Sequence, residues 1–201
     1  MAARQGDAAR YFRDCGQIAQ GIISDMPLPH LRRVGFLICL LACLAGRAVA
    51  GDALSIVAPA FDPGRPMPTR FAFADANVSP ELRVANAPSG TRSLVLIVDD
   101  PDAPSGLWTH WLVWNLPAAT TDIAEGKLPA AAVEGKNSFG NVRYDGPAPP
   151  SGTHRYFFHL YALDASLALP AGSDRAALRA AMEGHVVGKT EMFGIYRHGS
   201  E

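Results

Sequence analysis

Beyond residue 50 the chain alternates short apolar runs with clusters of Pro, Gly, Asn and Asp, such as Asp62-Pro63-Gly64 and Ala87-Pro88-Ser89-Gly90. Such clusters mark turns, because Gly reaches positive φ, Pro presets φ, and Asp or Asn hydrogen-bonds its own backbone. Between them, runs rich in Val, Leu, Phe, Tyr and Trp predict strands over Ser93–Val98, Trp111–Asn115 and Tyr156–Leu163. A single helix is predicted, with Ser173-Asp174 as its cap, helix formers from Ala176 to Met182, and Gly184 at its end. There is no internal repeat, no low-complexity tract and no linker within residues 51–201. The pattern therefore predicts one all-β, mainly antiparallel domain, a sandwich or Greek key.

The first fifty residues follow a different pattern. Arg32 and Arg33 precede an apolar run from Val34 to Gly46, and Ala48-Val49-Ala50 supplies small residues for cleavage. This order of positive, apolar and small segments reads as a secretory signal peptide that starts at Met26 and is cleaved after Ala50. The run is shorter than the ~20 apolar residues that a membrane-spanning helix needs. A periplasmic or secreted protein is expected, touching the membrane only through the signal before cleavage. Lipidation at Cys43 is a weaker reading, because bulky Leu41 stands where a small residue is usual. Cys15, Cys39 and Cys43 are the only cysteines, so residues 51–201 have neither a disulfide framework nor a Cys-based zinc site.

With 48% hydrophobic and 18% charged residues among 201, the chain lacks the composition of a disordered one. The first fifty residues hold six of the 18 basic and three of the 19 acidic residues, leaving 12 and 16, a net of about −4, for the rest. That balance argues against a nucleic-acid partner.

No nucleophile elbow, phosphate-cradling loop, His-Glu-x-x-His or dinucleotide fingerprint occurs. Two dense segments remain. In the first, Val98-Asp99-Asp100-Pro101-Asp102-Ala103-Pro104, prolines stiffen a loop that carries three carboxylates, and Trp108-Thr109-His110-Trp111-Leu112-Val113-Trp114-Asn115 follows. With side chains alternating along a strand, Trp108, His110, Leu112 and Trp114 share one face, and Thr109, Trp111 and Val113 the other. Taken alone, the acidic loop reads as a solvated turn and His110 as a hydrogen-bonded core residue. In the second segment a Pro/Gly loop, Tyr144 to Thr153, enters a strand that aims His154, Tyr156 and Phe158 at one face. A His and a Tyr hydroxyl at a loop mouth can donate to phosphate oxygens.

Asp100-Pro101-Asp102-Ala103-Pro104, then Trp108-x-His110, then Gly146-x-x-Pro149-Pro150-x-Gly152-x-His154-Arg155-Tyr156 resembles the ordered signature of the phosphatidylethanolamine-binding protein family. Ala181-Met182-Glu183-Gly184-His185-Val186 and Gly194-Ile195-Tyr196-Arg197 resemble its bacterial and archaeal, Raf-kinase-inhibitor-like branch. The resemblance implies a large central antiparallel sheet, a smaller second sheet and short C-terminal helices. It also implies a pocket for phosphate, phosphoethanolamine or a phospholipid head group, with Asp100, Trp108, His110, Gly146, Pro149, Pro150, His154 and Tyr156 as ligand-binding residues. No cofactor, metal or catalytic residue is implied. Ala148 departs from the Gly that some members carry before the two prolines. The rival functions are an inhibitor or interaction protein with an extracytoplasmic partner and an acid/base phosphoester hydrolase. His159, His185 and His198 have no partner by spacing.

Overall fold

The computed structural model describes residues 53–200, so the signal-peptide reading and the three cysteines fall outside the described residues. In chain order the strands are β1 (Ser55–Val57), β2 (Leu82–Ala85), β3 (Ser93–Asp100), β4 (Trp108–Pro117), β5 (Asp122–Ile123), β6 (Val133–Glu134), β7 (Thr153–Leu163) and β8 (Val186–Arg197). A short 3₁₀ turn, Thr69–Phe71, and one α-helix, α1 (Arg175–Met182), complete the elements among the described residues. The strands form a five-stranded sheet in the order β6-β4-β3-β7-β8 and a three-stranded sheet in the order β1-β2-β5. Every strand pair is antiparallel.

All eight residues of β3 are buried, because both faces of the large sheet are covered there. Leu94, Leu96 and Val98 join Trp111, Val113, Tyr156 and Phe158 in a core shared with Ile56, Leu82, Val84 and Ile123 of the small sheet. On the opposite face Val95 and Ile97 join Leu112 and Trp114 beneath Leu178 and Met182 of α1. Burial on both faces favours a continuous apolar run over alternation, which is why β3 reads so plainly in the sequence.

The helix forms as its residues dictate. The Asp174 side chain accepts from the Ala177 N–H at 2.9 Å, and Leu178 and Met182, four apart, turn the same stripe inward. The resemblance implied several C-terminal helices. Among the described residues there is one α-helix, and it precedes the last strand. β3, β4 and β7 also extend beyond their predicted limits, to Asp100, back to Trp108 and back to Thr153.

Two register shifts interrupt the β3–β4 pairing. Leu94 pairs with Leu116 and Leu96 with Val113, and the residue gained on β4 is absorbed around Asn115, whose φ is 56°. Val98 then pairs with Trp111 but Asp99 with Thr109, so His110 is an additional residue in β4. A bulge of this kind re-aims side chains on the strand that carries it.

Candidate functional site

Strand alternation at the end of β3 sends Asp99 and Asp100 to opposite faces. Asp99 turns to the helix side, accepting from Thr109 Oγ1 at 2.8 Å and from Arg175 at 2.9 Å. Asp100 turns to the other face, where Oδ1 accepts from the Asp102 N–H at 2.8 Å and Oδ2 pairs with His154 Nδ1 at 2.7 Å. Asp102 closes the loop on β7 by accepting from the backbone N–H, Nε and Nη2 of Arg155 at 2.9, 2.8 and 2.6 Å. Those Arg155 bonds hold its carboxyl down at about 2.

His110 does not lie where alternation places it. Leu112 and Trp114 pack under α1, whereas the bulge turns His110 to the Tyr156 side, with ring centroids 5.1 Å apart, and against Phe139 at 5.4 Å. Its Nδ1 lies 2.7 Å from the backbone oxygen of Asp145. A carbonyl only accepts, so Nδ1 carries the hydrogen and Nε2 of the neutral ring holds a lone pair. Burial lowers the His110 pKa, against the opposing pull of the Asp145 carbonyl and the Asp100 charge.

Asp145 is itself fixed. Its fully buried carboxylate accepts from Asn77 at 2.9 Å and Arg143 at 3.1 Å on Oδ1, and from Asn137 at 2.8 Å and Asn141 at 2.7 Å on Oδ2. Burial raises its pKa, but those donors outweigh it and leave the group below the usual carboxylate range. Asn77, at φ 54°, also accepts from the Gly146 N–H at 2.8 Å.

A cleft of about 230 Å³ opens at this mouth. Of the residues singled out in the sequence, Asp100, Trp108, His110 and Pro150 line it, joined by Ala103, Pro104, Ser105, Phe139 and Ala148. Gly146, Pro149, His154 and Tyr156 do not line it. His154 and Tyr156 sit behind the wall, and Pro149 is buried with its carbonyl accepting from His198. Gly146 is where the loop crosses Phe71 so closely that a side chain would strike the Phe71 carbonyl. The Tyr156 hydroxyl lies beside the Asp100 carboxylate and the Ala148 backbone, but it is buried without a hydrogen bond of good geometry. Burial, with the Asp100 charge second, raises its pKa and keeps it protonated.

Asn77 reads in the sequence as a turn residue at the edge of the pocket, whereas Phe139 and the network that joins Asn77, Asn137 and Asn141 to Asp145 are not marked there. The signal available was the unusual density of Asn and Asp around Gly140 and Gly146. The other three histidines among the described residues are partnered, contrary to expectation: His159 with Glu191 at 3.0 Å, His185 with Asp164 at 2.8 Å, and His198 with the Pro149 carbonyl at 2.8 Å. These partners stand across strands and loops, beyond the reach of spacing. A larger groove of about 870 Å³ runs between α1 and the outer face of β7 and β8. It is open to solvent and its His159 is already tied to Glu191, whereas the smaller cleft gathers buried, oriented polar groups.

A sequence profile described as phosphatidylethanolamine-binding protein matches residues 57–197. The chain belongs to this family. It is 47% identical over 143 residues to a UPF0098 protein of Methanothermobacter thermautotrophicus, covering 69% of this chain and 94% of the relative. The UPF0098 protein of Chlamydia trachomatis is 39% identical over 148 residues, 71% of this chain and 98% of the relative. Among solved structures, a phosphatidylethanolamine-binding protein homologue from Chlamydia trachomatis superposes with a TM-score of 0.70 at 39% identity, covering 73% of this chain and 98% of its own. YbcL of E. coli, described as a new member of the mammalian family, superposes with a TM-score of 0.68 at 29% identity, covering 72% of this chain and 98% of its own. Membership makes this a small-ligand-binding fold of the phosphatidylethanolamine-binding type.

Proposed function

We propose that this is an exported binding protein that holds a small phosphate-bearing ligand of the phospholipid head-group type in the cleft between β3, β4 and the 146–150 loop. One observation carries the reading: Asp100, His110 and Trp108 converge on a single cleft, and each polar group is already anchored from behind. Asp100 is held by Asp102 and His154, and His110 by an Asp145 that four side chains fix. Pre-anchored groups lose little freedom on binding, so more of the contact energy appears as affinity. Apolar walls of Trp108, Phe139 and Pro150 with a few oriented polar groups match the usual make-up of a small-molecule site. The Asp100 carboxylate suits the ammonium of an ethanolamine moiety.

Calorimetric titration with phosphoethanolamine tests this. Saturable binding that weakens at least tenfold in folded Asp100→Ala and His110→Ala variants is expected, and no binding to the folded wild type would defeat the reading. For export, mass spectrometry of the secreted protein should find Gly51 at the mature N-terminus.

A hydrolytic reading draws on the Asp100–His154 pair, whose 2.7 Å contact is how a carboxylate orients a general base. Turnover of a phosphomonoester that disappears in His154→Ala would favour it over simple binding.

A further inference from the structure

We infer that a second cleft, into which Asn77 and Arg143 of the Asp145 network reach, binds an ω-amino acid, a small zwitterion whose ammonium and carboxylate are held apart by methylenes. The two clefts share no lining residue, so the inference stands apart from the phosphate reading.

The second cleft encloses about 270 Å³ between two lips. One lip is Val78-Ser79 with Gly126, Lys127 and Leu128, tied together by the Gly126 N–H, which donates to the Ser79 backbone oxygen at 3.0 Å. The other lip carries Trp111 of β4, Glu134 of β6 and Arg143-Tyr144. Trp111 and Tyr144 meet edge to face with ring centroids 5.4 Å apart, and both are buried, so they form the floor. Val78 and Leu128 pack against that core and supply apolar wall.

Two opposite charges in this lining are held from behind. The Trp111 indole N–H donates to Glu134 Oε1 at 2.7 Å, which fixes the carboxylate and, among the described residues, leaves Oε2 without a protein donor. Glu134 is in no ion pair among the described residues, either with Lys127 on the facing lip or with another cation. Arg143 Nε donates to Asp145 Oδ1 at 3.1 Å, which fixes the guanidinium and, among the described residues, leaves both terminal nitrogens without a protein acceptor. Each group keeps bonding capacity that the protein does not use: the carboxylate for an ammonium, the guanidinium for a carboxylate.

The register of β4 sets how far apart they stand. The Asp145 N–H donates to the His110 oxygen at 3.2 Å, whereas Glu134 pairs with Val113. From His110 to Val113 the strand advances about 10 Å, at roughly 3.3 Å per residue. A hydrogen bond of about 3 Å at each end leaves the ligand to span the remainder. An α-amino acid, with both charges on one carbon, is too short to engage both ends. A chain of several methylenes reaches both and lays its apolar middle along Trp111, Val78 and Leu128. A ligand that lacks either charge leaves one anchored group unpaired, which costs more than a change in apolar bulk.

Calorimetric titration of the full chain with 6-aminohexanoate, glycine, hexanoate and hexylamine tests this. 6-Aminohexanoate should bind saturably and at least tenfold more tightly than each of the others, because glycine spans too little and the other two each forfeit a charge-assisted hydrogen bond. Glu134→Gln, which keeps an oxygen for Trp111, and Arg143→Gln, which keeps an N–H for Asp145, should each weaken binding at least tenfold. Glu191→Gln, in the groove beside α1, should leave it within about twofold. The inference is overturned if folded protein shows no saturable binding of 6-aminohexanoate, if hexanoate or hexylamine binds as tightly, or if the affinity depends on Glu191 rather than on Glu134 and Arg143. None of these outcomes touches the phosphate reading, whose own titration rests on Asp100 and His110.

Discussion

Replacing Gly146 by alanine probes the loop that holds the back wall of the cleft. A Cβ there would lie 2.8 Å from the Phe71 carbonyl carbon and 3.1 Å from that of Ala72, and nearer still to the Phe71 oxygen, where ordinary contact begins at 3.4 Å. The obstacle is backbone rather than a flexible side-chain end. The Phe71 oxygen is also pinned, because the Tyr144 hydroxyl donates to it at 3.0 Å. Relief therefore requires the two segments to part, which strains the Gly146 N–H to Asn77 bond of 2.8 Å and the Phe73 N–H to Pro147 oxygen bond of 3.0 Å. Overpacking costs about 1–3 kcal/mol in cores that can adjust. Loss of two hydrogen bonds adds about 1 kcal/mol each. A destabilisation of about 3–5 kcal/mol is expected, read as a shift of the urea midpoint at unchanged slope. Gly140→Ala is the control: nothing lies within 4 Å of its Cβ position, and only its φ of 88° is penalised. If Gly146→Ala costs less than about 1 kcal/mol, or no more than Gly140→Ala, the close crossing does not constrain this loop and the reasoning fails.

Asp145→Ala leaves four donors without their acceptor, among them the buried Asn137 amide, and should cost about 3–5 kcal/mol by denaturant unfolding. Asp145→Asn, which keeps one acceptor oxygen, should lose less. His110 supplies a pH dependence. Its folded pKa lies below the ordinary imidazole value of 6.5, so below that pH the unfolded chain binds the proton that the fold resists. This contribution to stability is intact above about pH 6.5 and is lost as the pH falls toward the lowered folded pKa. Urea midpoints should drop on acidification through that range, and His110→Gln should flatten the drop; an equal drop in both proteins would assign it to other groups.

The architecture was legible in the sequence where local chemistry decides it. Turn residues delimit β3 and β7, apolar residues fill them, and Asp174 caps α1 as its position predicts. β8 escaped notice because its run, Val-Val-Gly-Lys-Thr-Glu-Met-Phe-Gly-Ile-Tyr-Arg, mixes glycines and charges, and it is organised by its pairing with β7 rather than by composition. Gly194 marks a close approach, since a Cβ there would meet Met67 and Phe61.

The candidate site was legible as a set of residue types and illegible as geometry. The period-two rule failed at His110 because a bulge is a property of two strands in register, and a single strand carries no record of it. The same limit hid the Asp145 network. Its partners Asn77 and Asn137 lie 68 and 8 residues away, and each reads locally as an ordinary turn residue. His154 and Tyr156 were aimed correctly at one face, yet the lining is formed by residues in front of them. The tautomer of His110 follows from a backbone carbonyl 35 positions away.

The central claim is that the cleft walled by Asp100, Trp108, His110 and Phe139 is the ligand site, and a crystal structure of the protein grown with phosphoethanolamine tests it most directly. The account predicts a phosphorus atom in that cleft, with a phosphate oxygen within hydrogen-bond distance of His110 Nε2. Phosphoethanolamine seated instead in the groove between α1 and β7–β8, or failing to occupy the cleft at saturating concentration, would contradict it.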